Sequence, residues 1–207
     1  MISDIEEEKQ GLQARYNAAE PAELEGIVQE SREFITAALV DNIFPFWMGT
    51  PWSFHGTAEV PFHGSIACGY FVSTTLEDVG FDLPRIGLAK EPALNIIKNL
   101  TPWEYINWYS NQKPEDVVKE IEKQGHGIYV VGLDNHVGFM VNDEEGMRFV
   151  HSSFFPPQAV SAQEPLDYFN PFKYSKVHAV GKILDDTLVE KWLRDERIPL
   201  TYRLERD

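Results

Sequence analysis

Between residues 127 and 184 the chain carries the strand-type runs GIYVVGL, HVGFMVN, GMRFVHS and VHAVGKIL, and only DEEG separates the middle pair. No other feature constrains the fold as much. A connection this short joins antiparallel neighbours, because a parallel crossover needs about a dozen residues or more. Before residue 125 the apolar spacing is helical instead. In PAELEGIVQESREFITAALV, Pro21 stands where a helix start tolerates it, and Leu24, Ile27, Val28, Phe34, Ile35, Ala38 and Leu39 mark one stripe. Phe71, Val72, Leu76 and Val79 repeat that spacing after Cys68, with Gly80 placed to end the helix in a left-handed conformation. TPWE at 101–104 has the form of a capping box, with Thr101 as N-cap and Glu104 reaching back. Further helices are expected from Pro114 to near Gly125 and in DDTLVEKWLRDE from Asp185. Helices first and an antiparallel sheet afterwards predict an α+β fold.

Between the first helices and Cys68 runs FPFWMGTPWSFHGTAEVPFHGS, dense in Pro, Gly and aromatics. It is too irregular for an element and too apolar for a solvated linker, so it is expected to pack on the body as a loop that lines something. Its aromatic residues Trp47, Trp52, Phe54 and Phe62 serve as packing or as a substrate platform. The organisation expected is a helical extension over residues 1–45, a central domain over 46–185, and a C-terminal helix and tail over 186–207 packed on that domain.

A formal net charge of −15 repels phosphate backbones and anionic membrane surfaces, so nucleic acid is not an expected partner. No run approaches roughly 18 uninterrupted apolar residues, so no membrane span is expected. MISDIEEEKQ lacks the basic and apolar regions of a signal peptide. A soluble chain is expected, periplasmic or secreted if a signal was trimmed from it. Oligomeric state is not legible here.

The chain has one cysteine. It cannot form an internal disulfide, which leaves a buried filler or a reactive thiol. Cys68 falls at a predicted helix start, where unpaired N–H groups and the helix dipole favour a thiolate. Gly69 beside it would let a substrate approach the backbone, and the Cys68 N–H could donate to a developing oxyanion. The base would be His136, which shares a strand face with Gly138, Met140 and Asn142; Val137, Phe139 and Val141 form the expected core face. Gly138 would leave room for a ligand. A two- or four-residue loop within DEEG sets residue 136 opposite Ser153 and makes His151 its diagonal neighbour on the same face. His55 and His63 flank the thiol in sequence, and His126 and His178 read as structural. A zinc site built on Cys68 and His136 lacks any short ligand pair such as CxxC or HxxxH, so no metal is expected.

The order GTPWSFHG, IACGYFVSTTL, GFDLPR, HVGFMV, FVHSS over about residues 49–152 resembles the NlpC-type cysteine peptidases, a bacterial branch of the papain-like superfamily. The resemblance implies a papain-like fold with the nucleophile at a helix N-terminus: Cys68 as nucleophile, His136 as base and His151 as the residue orienting it. It also implies hydrolysis of an amide in a cell-wall (peptidoglycan) peptide, without a cofactor. Trp52 aligns with a loop tyrosine of the family, and its indole N–H could help form the oxyanion hole. Ser53 and His63 complete the substrate-contact candidates. The family's Asp-Cys-Ser-Gly is Ala67-Cys68-Gly69-Tyr70 here, so the aspartate that binds the free amine of the cell-wall peptide is missing. An amidase or acyltransferase acting on a lipid or small amide, and a non-catalytic papain-like binding module, are the alternatives. The partner expected is a small peptide or amide substrate.

Overall fold

The computed structural model describes residues 1–202; residues 203–207 of the expected 186–207 tail lie outside the described residues. Its strands are β1 (Ile106–Ser110), β2 (Gly127–Gly132), β3 (Val137–Asp143), β4 (Gly146–Ser152), β5 (Val160–Gln163) and β6 (Val177–Lys182). They form one antiparallel sheet in the order β1-β6-β2-β3-β4-β5. Asp143 pairs with Gly146, so the hairpin loop is the two residues Glu144 and Glu145, and Gly146 takes a positive φ of 105°. Phe139 then lies opposite Val150 and Met140 opposite Phe149.

The helices are α1 (Ile2–Ala18), α2 (Leu24–Ala37), α3 (Phe44–Trp47), α4 (Cys68–Asp78), α5 (Arg85–Ala89), α6 (Ala93–Leu100), α7 (Pro114–Lys123), α8 (Pro171–Tyr174) and α9 (Asp186–Leu193). A π-helical turn, Ala38–Ile43, joins α2 to α3. α2 begins three residues later than the sequence suggested, after a turn at Pro21, and FPFW is helical rather than loop. Pro45 is tolerated there because it stands in the first turn of α3, where its missing N–H is not needed. Gly80 ends α4 at φ +98°, and the Asp185 carboxylate caps α9 by accepting from the Leu188 N–H at 3.0 Å.

TPWE does not start a helix. Thr101 ends α6, Trp103–Tyr105 makes a single 3-10 turn, and β1 follows. The Thr101 hydroxyl donates to the Lys182 carbonyl at 3.3 Å instead of capping. Docking on the sheet has outweighed the local capping preference.

Both faces of the central strands are buried, so the face of β3 that carries Gly138, Met140 and Asn142 is a second core face. On the first face Ile128, Val130, Phe139, Val141, Val150 and Ala179 join a core with residues of α1, α2, α4, α6 and α9. On the second, Tyr129, Val131, Met140, Phe149 and Val180 pack with Val117 and Ile121 of α7 and Phe172 of α8. Residues 1–45 share the first core: Phe44 stands 5.0 Å from Phe139, ring centre to ring centre. The buried Lys9 ammonium ties α1 to the rest, donating to the Gly80 carbonyl at 2.7 Å and to Asp195 at 2.5 Å. No helix among the described residues is long and apolar enough to cross a membrane.

Candidate active site

α4 begins at Cys68 because Ala67 is held extended, with φ −83° and ψ 161°, and its N–H is tied to the Gly56 carbonyl at 2.9 Å. Ser152 of β4 donates to the Ile66 carbonyl at 2.7 Å, anchoring the same approach to the sheet. The sulfur therefore sits at the rim of the sheet, where β3 begins. Backbone N–H groups of Val137, Gly69 and Cys68 point at it.

His136 stands immediately before β3 and is 4% exposed; His151, in β4, is fully buried. Their rings meet at His136 Nε2 and His151 Nδ1, 2.7 Å apart, nearly perpendicular. Phe149 stacks on His151 at 4.5 Å, and His151 Nε2 lies 3.2 Å from Gln163 Oε1 of β5. His136 Nδ1 is buried and has no hydrogen-bond partner among the described residues. Cys68 and His136 line one cleft of about 610 Å³, with Trp52, Phe54, Tyr70, Asn135 and Phe154 on its walls and Lys90 and Glu91 at one side. That volume falls within the range that receives small ligands. α4 covers the first sheet face, whereas the histidine pair belongs to the second, so Cys68 and His136 share only the cleft at this rim.

Burial sets the charge states. It pushes the Cys68 thiol up, and the surrounding backbone N–H groups only partly offset it. Burial also holds His136 well below the ordinary imidazole value, with His151 lowering it further, and brings His151 down to about 4. These shifts favour a neutral thiol and neutral imidazoles near pH 7, in contrast to the thiolate that a helix start was expected to favour.

The residues singled out in the sequence are only partly brought together. Cys68, Gly69, Trp52 and His136 line the cleft, with His151 behind His136. Ser53 is turned away and shares a 2.7 Å hydrogen bond with Ser65, and His63 is exposed beside a separate depression. His55 does reach the cleft, edge-on to Phe54. Two glycine expectations need correcting. A Cβ on Gly69 would lie 2.3 Å from the Ala89 carbonyl oxygen, and one on Gly138 would lie 2.7 Å from His151 Cβ and 2.8 Å from Phe149. Both spaces are filled by the protein itself, so neither is room for a ligand.

Asn135, Phe154 and Gln163 were missed. Asn135 adjoins His136 in sequence and could have been found; Gln163 lies on a strand of only four residues that alternation does not reveal. Among the described residues, no group of three or more His, Cys, Asp or Glu side chains is placed to hold a metal ion. Comparison with protein-family models, with curated proteins and with solved structures finds no match to this chain.

Proposed function

We propose that the chain is a papain-like thiol hydrolase of amide bonds, with Cys68 as nucleophile and His136 as general base. One observation carries the reading: His136 is bonded through Nε2 to His151, its buried Nδ1 has no partner among the described residues, and its side chain lines a cleft shared with the only cysteine of the chain. A general base needs one free nitrogen and one held nitrogen.

In the reaction, Cys68 Sγ bonds to the amide carbonyl carbon as its proton passes to His136 Nδ1. The Cys68 N–H, with the Trp52 indole N–H, stabilises the oxyanion. When the C–N bond breaks, His136 returns the proton to the departing amine, and water then releases the acyl group. Because both groups rest neutral, proton transfer accompanies attack rather than preceding it.

The resemblance to NlpC-type peptidases makes a cell-wall peptide the first substrate to try. A second reading, an amidase or acyltransferase acting on an amide with an apolar part, is favoured by the cleft walls: Trp52, Phe154 and the 75%-exposed ring of Phe54. Incubation with peptidoglycan fragments and with fatty-acyl amides, followed by intact-mass measurement, separates them. The adduct mass on Cys68 names the acyl group, and Cys68→Ala must form none. Alkylation by iodoacetamide tests the chemistry itself. A thiol that stays inert at pH 7–8 and is unaffected by His136→Ala would leave a binding module instead.

A further inference from the structure

The histidine pair can be wired in two directions, and only one of them leaves a base. Two neutral imidazoles joined through His136 Nε2 and His151 Nδ1 share one proton in that bond. If His136 holds it, His136 Nδ1 carries a lone pair, and His151 must carry its own proton on Nε2. If His151 holds it on Nδ1, then His136 is protonated on Nδ1 and cannot accept from the thiol. The group that meets His151 Nε2 decides between these states. That group is Gln163, 3.2 Å away on β5.

We infer that Gln163 is a positioning residue that selects the basic tautomer of His136 through His151, two hydrogen bonds away from the reacting atoms. This rests on the reading of His136 as the base. With its Oε1 toward His151, Gln163 accepts from Nε2–H; His151 Nδ1 then accepts from His136 Nε2–H, and His136 Nδ1 is left as an acceptor toward Cys68. The burial of that nitrogen supports the same direction. An N–H orphaned in an apolar site is rarer in proteins than an unsatisfied acceptor. The surroundings of the His151 ring leave it little freedom to answer otherwise. Phe149 stacks on one side at 4.5 Å, and Gly138 opposite has no Cβ to displace it. β5 places Ser161 directly across from His151, with Gln163 one pair further along on the same face.

The proposal goes beyond a thiol and two histidines: it places the control of tautomer on the edge strand of the sheet. The test is the ring-nitrogen spectrum of ¹⁵N-histidine-labelled full-length protein at pH 7.5, read beside the iodoacetamide rate of Cys68. In the wild type both His136 and His151 are expected to carry hydrogen on Nε2. In Gln163→Leu the His151 signals should shift toward the Nδ1–H form, and alkylation should slow about tenfold, the usual scale for losing an orienting partner. In Gln163→Glu, which retains an acceptor oxygen, the tautomer and most of the rate should return; a merely structural role would not produce that rescue. A wild-type spectrum with Nδ1–H on His151 overturns the inference even if Gln163→Leu fails to fold, and so does a Gln163→Leu spectrum identical to wild type. If the tautomer follows residue 163 while Cys68 stays inert, the wiring stands and the hydrolase reading falls.

Discussion

Across the second face of the sheet four rings stand in a row, His151, Phe149, Phe172 and His178, with centres 4.5, 6.1 and 4.5 Å apart. The two ends use the same side chain in the same buried setting. His151 and His178 are both fully buried, and each end leaves one imidazole nitrogen without a partner among the described residues, His136 Nδ1 at one and His178 Nδ1 at the other. They differ in their surroundings. At the first end His136 lines a cleft that Cys68 also lines; at the second, His178 Nε2 donates to the Phe172 carbonyl at 2.8 Å, closing the row onto backbone. A buried histidine with an idle nitrogen is therefore not in itself a site. What sets the first end apart is a cleft that His136 shares with Cys68.

The sharpest way to break this comparison is to remove each end. His136→Ala is expected to slow iodoacetamide alkylation of Cys68 by about 10²–10³-fold, the scale of a lost general base. His178→Ala should leave that rate within about twofold while lowering stability by roughly 2–3 kcal/mol through a lost buried hydrogen bond and a cavity. Equal effects on the rate would mean that the two ends are not distinct.

A pH series sharpens it next. The unfolded chain takes up a proton on each histidine near pH 6.5, whereas folded His151 resists until about 4. Stability should therefore be complete above pH 6.5 and be lost as the pH falls toward 4, by about 3 kcal/mol for His151 alone. Burial lowers His136 and His178 too, so both ends contribute with the same sign. Urea unfolding of His151→Asn should show a flatter acid limb than the wild type; an unchanged limb would mean that His151 is not held neutral.

Gly138→Ala attacks the packing at the reactive end only. Its Cβ would fall within 2.8 Å of both His151 and Phe149, so a loss of roughly 1–3 kcal/mol is expected, together with slower alkylation as the His151 ring is displaced. Thermal unfolding and the iodoacetamide rate read the two effects separately.

The smallest effect concerns a half-buried group away from both ends. Burial raises the Asp78 carboxyl to about 6, against the pull of a 3.0 Å hydrogen bond from the Trp47 indole. Its folded value lies above its unfolded one, so the ionised group weakens the fold at neutral pH and not below pH 4. Asp78→Asn, which keeps an acceptor for Trp47, should raise stability at pH 7.5 by roughly 1 kcal/mol after allowance for partial exposure, and leave pH 4 unchanged. A gain at both pH values would point to packing rather than charge.

The helices near residues 24–37, 68–78, 114–123 and 186–193 and the strands around DEEG were legible because each carries its period within its own residues. β1 and β5 were not. INWYS follows a sequence that imitates a helix cap, and VSAQ is too short to show alternation, so their pairing with β6 and β4 comes from the assembled sheet. The same divide runs through the candidate site. The spacing around DEEG sets His136 and His151 on one face only with a two- or four-residue loop, and the sheet decides for two; Ser53 and His63, close to Cys68 along the chain, point elsewhere.

From the amino-acid order alone came the α+β class, a cysteine opening a helix, and two histidines on neighbouring strand runs that share a face if the loop has an even length, all consequences of local backbone periods. Tertiary structure alone decided that the histidine rings touch, that Gln163 backs them, that Gly69 and Gly138 are filled by neighbouring atoms, and that the thiol and imidazoles rest uncharged. Those outcomes depend on which distant surfaces exclude water from one another, and burial of that kind is a property of the packed chain rather than of any segment.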